Sequence, residues 1–197
     1  MSRDQILALI DAAVAAITAN AEELTRLDQA IGDGDHGSNM ARGFQAIGVQ
    51  REALAAMEPG DALQKAGMVL VTTVGGASGP LYGSLLMGIG KGLKAGKDPA
   101  DAFAEGVDSV KKRGKTEVGA TTKLDVLVPG LEAFQRGATG TELRRTASES
   151  REATKPMLAT RGRASFLGER SIGHYDPGAT SSCLLIQVTC DVLKPTA

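Results

Sequence analysis

Apolar residues recur every three or four positions along most of the chain, which is the period of a helix that buries one face. Ile6, Leu7, Ile10, Val14 and Ile17, on an alanine-rich background, predict an amphipathic helix over residues 2–20. A second helical piece runs to about Leu27, and helical spacing resumes through Met40, Phe44 and Ile47. Pro59-Gly60-Asp61 breaks the chain and offers a cap for a helix over 62–74. The β-branched run 68–74 has the composition of a buried strand, but it continues from 62–66 without a turn, so helix is favoured. After Gly75-Gly76-Ala77-Ser78-Gly79-Pro80, Ser78 or Gly79 caps and Pro80 opens a helix over 81–89, where Gly83 and Gly88 suggest close approach of a neighbour. Further helices are expected over 100–112, after Asp98-Pro99, over 124–134, and over a polar stretch 141–160. Asp176 caps and Pro177 opens the last, 179–193. About eight helices, no confident strand and mostly short turns describe an all-α domain with antiparallel neighbours, spanning residues 1–197 as a single unit.

Composition narrows the function. A net charge of −1 gives no electrostatic reason to bind nucleic acid, and 3 % aromatic residues with no Trp leave no base-stacking platform. No apolar run approaches a membrane span and no charged-then-apolar leader opens the sequence, so neither nucleic acid nor membrane is expected as a partner. Cys183 and Cys190 fall seven apart on one helix face, the wrong geometry for a disulfide, and are expected as small buried side chains. The expected compartment is the cytoplasm.

The chemistry concentrates in Asp28-Gln29-Ala30-Ile31-Gly32-Asp33-Gly34-Asp35-His36-Gly37-Ser38-Asn39. Asp28, Asp33 and Asp35 are spaced D-x4-D-x-D. Folded together at ~5 Å, one such pair repels by roughly 1 kcal/mol in water and about 3 kcal/mol at an effective dielectric of 20. A hard divalent cation among the oxygens removes that cost. Competing readings are weaker. Gly-Asp-Gly is ordinary turn chemistry. Gly32, Gly34 and Gly37 match G-x-G-x-x-G but follow a charged, helix-like lead-in instead of a buried strand. An EF-hand counted from Asp33 puts Phe44 where a bidentate Glu is required. No P-loop pattern occurs, Gly90-Lys91 being followed by Gly92. There remains a Mg2+ site in which the ion also carries phosphate. His36 to Asn39 would form a helix's first turn, whose backbone N–H groups favour phosphate. The loops 75–78, 119–122 and 176–178 share this glycine-rich, helix-opening character, and in an up-and-down bundle they can ring one mouth, with Arg163 and Arg170 as added phosphate contacts. Lys111 to Lys115 is a short basic run of the kind found at solvated helix ends.

Three motifs, in order, resemble a known family. They are Gly32-Asp33-Gly34-Asp35-His36-Gly37, then Gly75-Gly76-Ala77-Ser78-Gly79-Pro80-Leu81-Tyr82-Gly83, then Gly162-Arg163-Ala164-Ser165 through Gly168-Glu169-Arg170-Ser171-Ile172-Gly173-His174 to Asp176-Pro177-Gly178-Ala179. Together they resemble the nucleotide-binding L subunit of dihydroxyacetone kinase over nearly the whole chain. The resemblance implies an eight-helix antiparallel barrel with ADP or ATP at one end, held by two Mg2+ ions. It implies Asp28, Asp33 and Asp35 as metal ligands. It implies His36, Gly37, Ser38, Asn39, Ala77 and Ser78 as phosphate contacts, Gly119 and Arg163 as nucleotide contacts, and Asp176, Pro177 and Gly178 as the segment closing over the nucleotide. The family often shows G-x-K-T-[ML] where this chain has Gly119-Ala120-Thr121-Thr122-Lys123, so no contact is carried over to the side chains at 121 and 123.

The same resemblance implies phosphoryl transfer by positioning and charge neutralisation, without a catalytic side chain in covalent chemistry. The acceptor, dihydroxyacetone, would be held on a separate K subunit, and bound ADP would be rephosphorylated by a phosphohistidine-carrying M subunit of the phosphotransferase system. Alternatives are an ATP-exchanging L subunit of a related ketose kinase of the erythrulose type, and a non-enzymatic nucleotide-dependent regulator.

Overall fold

In a computed structural model of the chain, residues 1–193 are described. They form ten α-helices and one 3-10 helix, with no strand among them. The helices are α1 (Arg3–Ala19), α2 (Ala21–Ile31), α3 (His36–Val49), α4 (Arg51–Ala55), α5 (Pro59–Thr73), α6 (Ser78–Lys94), α7 (Pro99–Gly114), α8 (Leu124–Gln135), α9 (Gly140–Ala153) and α10 (Pro177–Leu193), with the 3-10 helix over Arg163–Ser171. The long helices follow one another around a closed path: α3 packs on α5, α5 on α6, α6 on α7, α7 on α8, α8 on α9 and α10, and α10 returns to α1, which meets α3. The centre is filled by Ile17, Leu24, Met40, Leu54, Leu70, Val107, Val110 and Leu124.

Local chemistry accounts for most element boundaries. Ser2 and Gln5 form a capping box at α1, and Thr139 and Glu142 form another at α9. Asp98 accepts from the backbone of Ala100 and Asp101 while Pro99 takes the first position of α7. The expected close approach at Gly83 is present: a Cβ there would lie 2.8 Å from the Gly67 carbonyl oxygen, and one at Gly67 would lie 2.7 Å from that of Gly83. This backbone contact lets α5 and α6 pack along most of their length.

Several expected boundaries move. The second helix continues to Ile31 and not to about Leu27, so Asp28 stands on the last turn of α2 and not in the loop. The fourth expected helix begins at Pro59, whose missing N–H is harmless at a first position, so Asp61 sits inside the first turn and does not cap it. Similarly α6 begins at Ser78 with Ala77 as its cap residue, which places Pro80 within the first turn. The polar helix ends at Ala153 instead of reaching residue 160, because Pro156 disfavours helical geometry at the residue before it. The expected loop 161–175 contains the 3-10 helix, broken at Gly168, whose φ is 57°. Among the described residues no single helix is long and apolar enough to cross a membrane. Both cysteines are buried on α10.

Candidate functional site

The acidic loop is built around Asp28. From the last turn of α2 its Oδ2 accepts hydrogen bonds from the backbone N–H of Asp35 (2.8 Å) and of His36 (3.1 Å), which folds residues 32–35 back over the helix end. Gly34 makes the turn with φ 74°. The result brings one carboxylate oxygen each from Asp28, Asp33 and Asp35 within 4.8 Å of one another. Asp28 is buried and Asp33 faces solvent. Burial, and then the charges of Asp33 and Asp35, push the Asp28 carboxyl above the usual range, while the two backbone hydrogen bonds oppose this. Three hard oxygen donors in mutual repulsion suit a hard divalent cation.

Two helix N-termini flank this cluster. The N-cap residues of α3 (Asp35) and α6 (Ala77) make no side-chain capping hydrogen bond, unlike those of α1, α7 and α9. On α3 the His36 and Asn39 N–H groups are spent on Asp28 and on the Asp35 carbonyl, which leaves those of Gly37 and Ser38, with the first N–H groups of α6, available to an anion. His36 ties the two ends together. Its Nδ1 lies 3.0 Å from Ser78 Oγ on α6 and its Nε2 lies 2.9 Å from Ser181 Oγ on α10. Burial holds this imidazole neutral, with its pKa pushed down to about 3, so one ring nitrogen donates and the other accepts. The ring is thus spent inside the wall of the site. Ser38 is exposed, its hydroxyl donating to the Asp35 carbonyl (3.0 Å). Asn39 is buried, accepts from Arg42 (2.5 Å) and backs Gly75 of the second loop.

The remaining predicted residues reach the same end of the molecule. Asp176 Oδ1 accepts from the backbone of Ala179 (2.5 Å), capping α10 as the sequence suggests, and the Gly178 carbonyl accepts from Tyr82 Oη at 3.1 Å. Gly119 adopts φ 93° and donates to Asp125 Oδ1 (2.5 Å). Arg163 reaches Asp33 across 2.8 Å, bringing the 3-10 helix against the acidic loop. Arg170 enters no ion pair among the described residues.

Sequence reasoning missed four supporting residues. Asp125, buried at the start of α8, also accepts from the backbone of Thr122 (2.7 Å) and so holds both ends of the 119–122 loop. The spacing Thr122-x-x-Asp125 before an apolar run is a capping signature that would have found it. Tyr82 and Ser181 are linked at 2.6 Å beneath the site. Burial raises the Tyr82 phenol above its ordinary value. Lys123 is buried with its ammonium 4.9 Å from the centre of the Tyr82 ring. No local pattern announces these three.

With this geometry established, comparison with known proteins decides the family. Residues 30–191 match the model of the DAK2 domain. The chain belongs to the DAK2 domain family. This DAK2 chain is 42 % identical over 176 residues to "PEP-dependent dihydroxyacetone kinase 1, ADP-binding subunit DhaL" of Listeria innocua, covering 86 % of each chain. It is 38 % identical over 201 residues to "PEP-dependent dihydroxyacetone kinase, ADP-binding subunit DhaL" of Escherichia coli, covering 95 % of this chain and 96 % of that one. Its relatives are thus subunits of a kinase, placing it in a phosphotransferase family. In three dimensions it superposes on the dihydroxyacetone kinase of C. freundii, solved in complex with AMP-PNP and Mg2+, with a TM-score of 0.80. That match covers 93 % of this chain and 33 % of the larger one at 21 % identity, and it establishes the shared helical fold.

Proposed function

We propose that this chain is the ADP-binding subunit of a dihydroxyacetone kinase, carrying the phosphoryl-donor half of the reaction. The observation that carries the reading is the joining of the Asp28, Asp33 and Asp35 oxygens to two uncapped helix N-termini through Asp28 and His36. The names of the relatives support ADP as ligand and a PEP-dependent, and in Lactococcus lactis a PTS-dependent, source of the phosphoryl group.

In this reading Asp28, Asp33 and Asp35 would hold Mg2+, two ions in all, beside the nucleotide phosphates. Backbone N–H groups of Gly37 and Ser38 on α3, and of Ala77 and Ser78 at the start of α6, take phosphate oxygens, while the Asn39 N–H stays on the Asp35 carbonyl. His36 acts by positioning: its backbone N–H holds Asp28, and its ring fixes Ser78. Gly119 and the Asp176-Pro177-Gly178 segment line the nucleotide. Arg163 exchanges Asp33 for phosphate, as a fork of donors suits either anion. Mg2+ bound there offsets phosphate charge and polarises the transferring group. The protein's own part is to orient the phosphates and hold them against the charge cluster, so no side chain needs to form a covalent intermediate. The acceptor sugar would be presented by a separate K subunit and ADP recharged by a phosphohistidine-carrying M subunit.

The test is calorimetric titration of ADP with and without EDTA into the wild type and into Asp33→Asn and Asp35→Asn. Mg2+-dependent binding should disappear in both variants while helix content stays intact; equal binding in all three would overturn the assignment. The mass and ultraviolet spectrum of whatever the purified protein releases on denaturation separates the donors. Tightly retained ADP fits recharging by a phosphoprotein, and ready exchange with ATP fits a related ketose kinase.

A further inference from the structure

Lys123 is a buried cation for which the fold provides no acceptor. It is 7 % exposed. Among the described residues its ammonium donates no hydrogen bond and enters no ion pair, its contact being the face of Tyr82. Thr121 Oγ1, and not Lys123 Nζ, is the fully buried side-chain atom without a partner among the described residues, so the ammonium keeps some contact with solvent. A largely buried charge without hydrogen-bonding partners is still costly, and proteins seldom keep one except where a further group completes its surroundings.

The side chain lies in the wall of the nucleotide end. A Cβ on Gly178 would sit 3.6 Å from Lys123 Cβ, so the lysine runs beside the segment that opens α10. Tyr82, over which the ammonium rests, donates to the carbonyl of that same Gly178. The charged and titratable groups around it come from four elements. Asp176 from the segment before α10 attracts it, His36 of α3 is neutral, Tyr82 belongs to α6, and Asp125 of α8 acts on Asp176.

We propose that Lys123 is a nucleotide-binding residue whose ammonium donates to an oxygen of the bound nucleotide. The proposal rests on the nucleotide reading above. An ammonium is a compact point charge with three donors, suited to a phosphate or ribose oxygen. Burial lowers its pKa to about 8, so near that pH roughly half the free protein carries the amine uncharged, and an arriving oxygen anion draws a proton onto it.

The experiment is calorimetry of Mg-ADP and of adenosine with the full chain, comparing wild type, Lys123→Met and Lys123→Arg, with thermal melting of each without ligand. Lys123→Met should weaken ADP binding at least tenfold while the unliganded protein melts no lower than wild type, since a packed Met relieves a buried charge. Lys123→Arg should recover part of the affinity. In buffers of different ionisation enthalpy at pH 8, wild type should take up about half a proton on binding ADP and Lys123→Met none. A larger loss for ADP than for adenosine places the contact on phosphate, and an equal loss places it on ribose. Equal ADP affinity in wild type and Lys123→Met overturns the proposal while leaving the nucleotide site standing. Failure of the wild type to bind ADP overturns both. A drop in melting temperature matching the affinity loss assigns Lys123 to packing and also overturns it.

Discussion

Arg163 Nη2 lies 2.8 Å from Asp33 Oδ2, joining two residues 130 positions apart in the chain at the rim of the site. The Arg163 side chain is 69 % exposed and that of Asp33 36 %, so solvent screens the pair and it contributes at most about 1 kcal/mol to folding. Arg163→Met should therefore leave the melting temperature of the unliganded chain nearly unchanged, yet weaken nucleotide binding several-fold. Differential scanning calorimetry and ADP titration on the same preparation check both halves. A large loss of stability with unaltered affinity would make the bridge structural.

Asp28 has two tasks, one local and one chemical. Its Oδ2 holds the N–H groups of Asp35 and His36, so Asp28→Ala strands two backbone donors beside the acidic loop. The expected cost is roughly 1–3 kcal/mol. Asp28→Asn keeps a carbonyl oxygen for those donors and should cost less, while still reducing Mg2+ affinity through the lost charge. Urea unfolding and Mg2+ titration of the two variants separate the tasks.

Gly37 permits α3 to meet α2. A Cβ there would run into the Ala21 carbonyl and the Thr25 side chain, and would lie 2.7 Å from the Thr25 nitrogen. Because two of these obstacles are backbone, they cannot rotate away. Gly37→Ala should destabilise by about 2–3 kcal/mol or more, and should also displace the first turn of α3, so nucleotide affinity falls with stability. Chemical denaturation at constant m-value gives the first quantity.

Lys123 makes stability depend on pH in the alkaline range. Its folded pKa is lowered to about 8 from an ordinary 10.5, so between those values the unfolded chain holds the extra proton. Stability of the unliganded protein then rises with pH from about 8 to 10.5, and below pH 8 the full cost of the buried charge remains. A shift of this size corresponds to roughly 3 kcal/mol. Relative to Lys123→Met, the wild type should gain stability on moving from pH 7.5 to 10, as read from urea midpoints of both proteins in the same buffers.

Asp125 is a quieter member of the site. It accepts from Gly119 and from Thr122, so Asp125→Ala should loosen the 119–122 loop and cost about 2–3 kcal/mol, two hydrogen bonds being lost at once. Hydrogen exchange at the Gly119 and Thr122 amides would report the release directly, and should leave the amides of α1 protected.

Much of this was legible in the chain. The three-to-four spacing of Ile6, Ile10 and Ile17 wrote α1, and Asp98-Pro99 and Asp176-Pro177 marked two helix starts, because helix periodicity and capping are short-range properties. The aspartate spacing pointed to a charge cluster for the same reason. The sequence misjudged where α2 stops, since its last turn is anchored by the burial of Leu27, Asp28 and Ile31 against the rest of the molecule, a force no local pattern reports. Tyr82, Ser181 and Lys123 could not be read as a group: they come from three segments across 100 positions of sequence, and only the closing of the helix ring sets them side by side. The chain by itself determined which stretches coil and where the negative charge gathers. The tertiary structure decided which loops share an end, and therefore that a neutral histidine joins two helix starts and a lysine rests on Tyr82 beside the segment that opens α10. Contacts between distant segments depend on how whole helices pack, and that packing is set by the summed burial of many side chains and not by any neighbouring few.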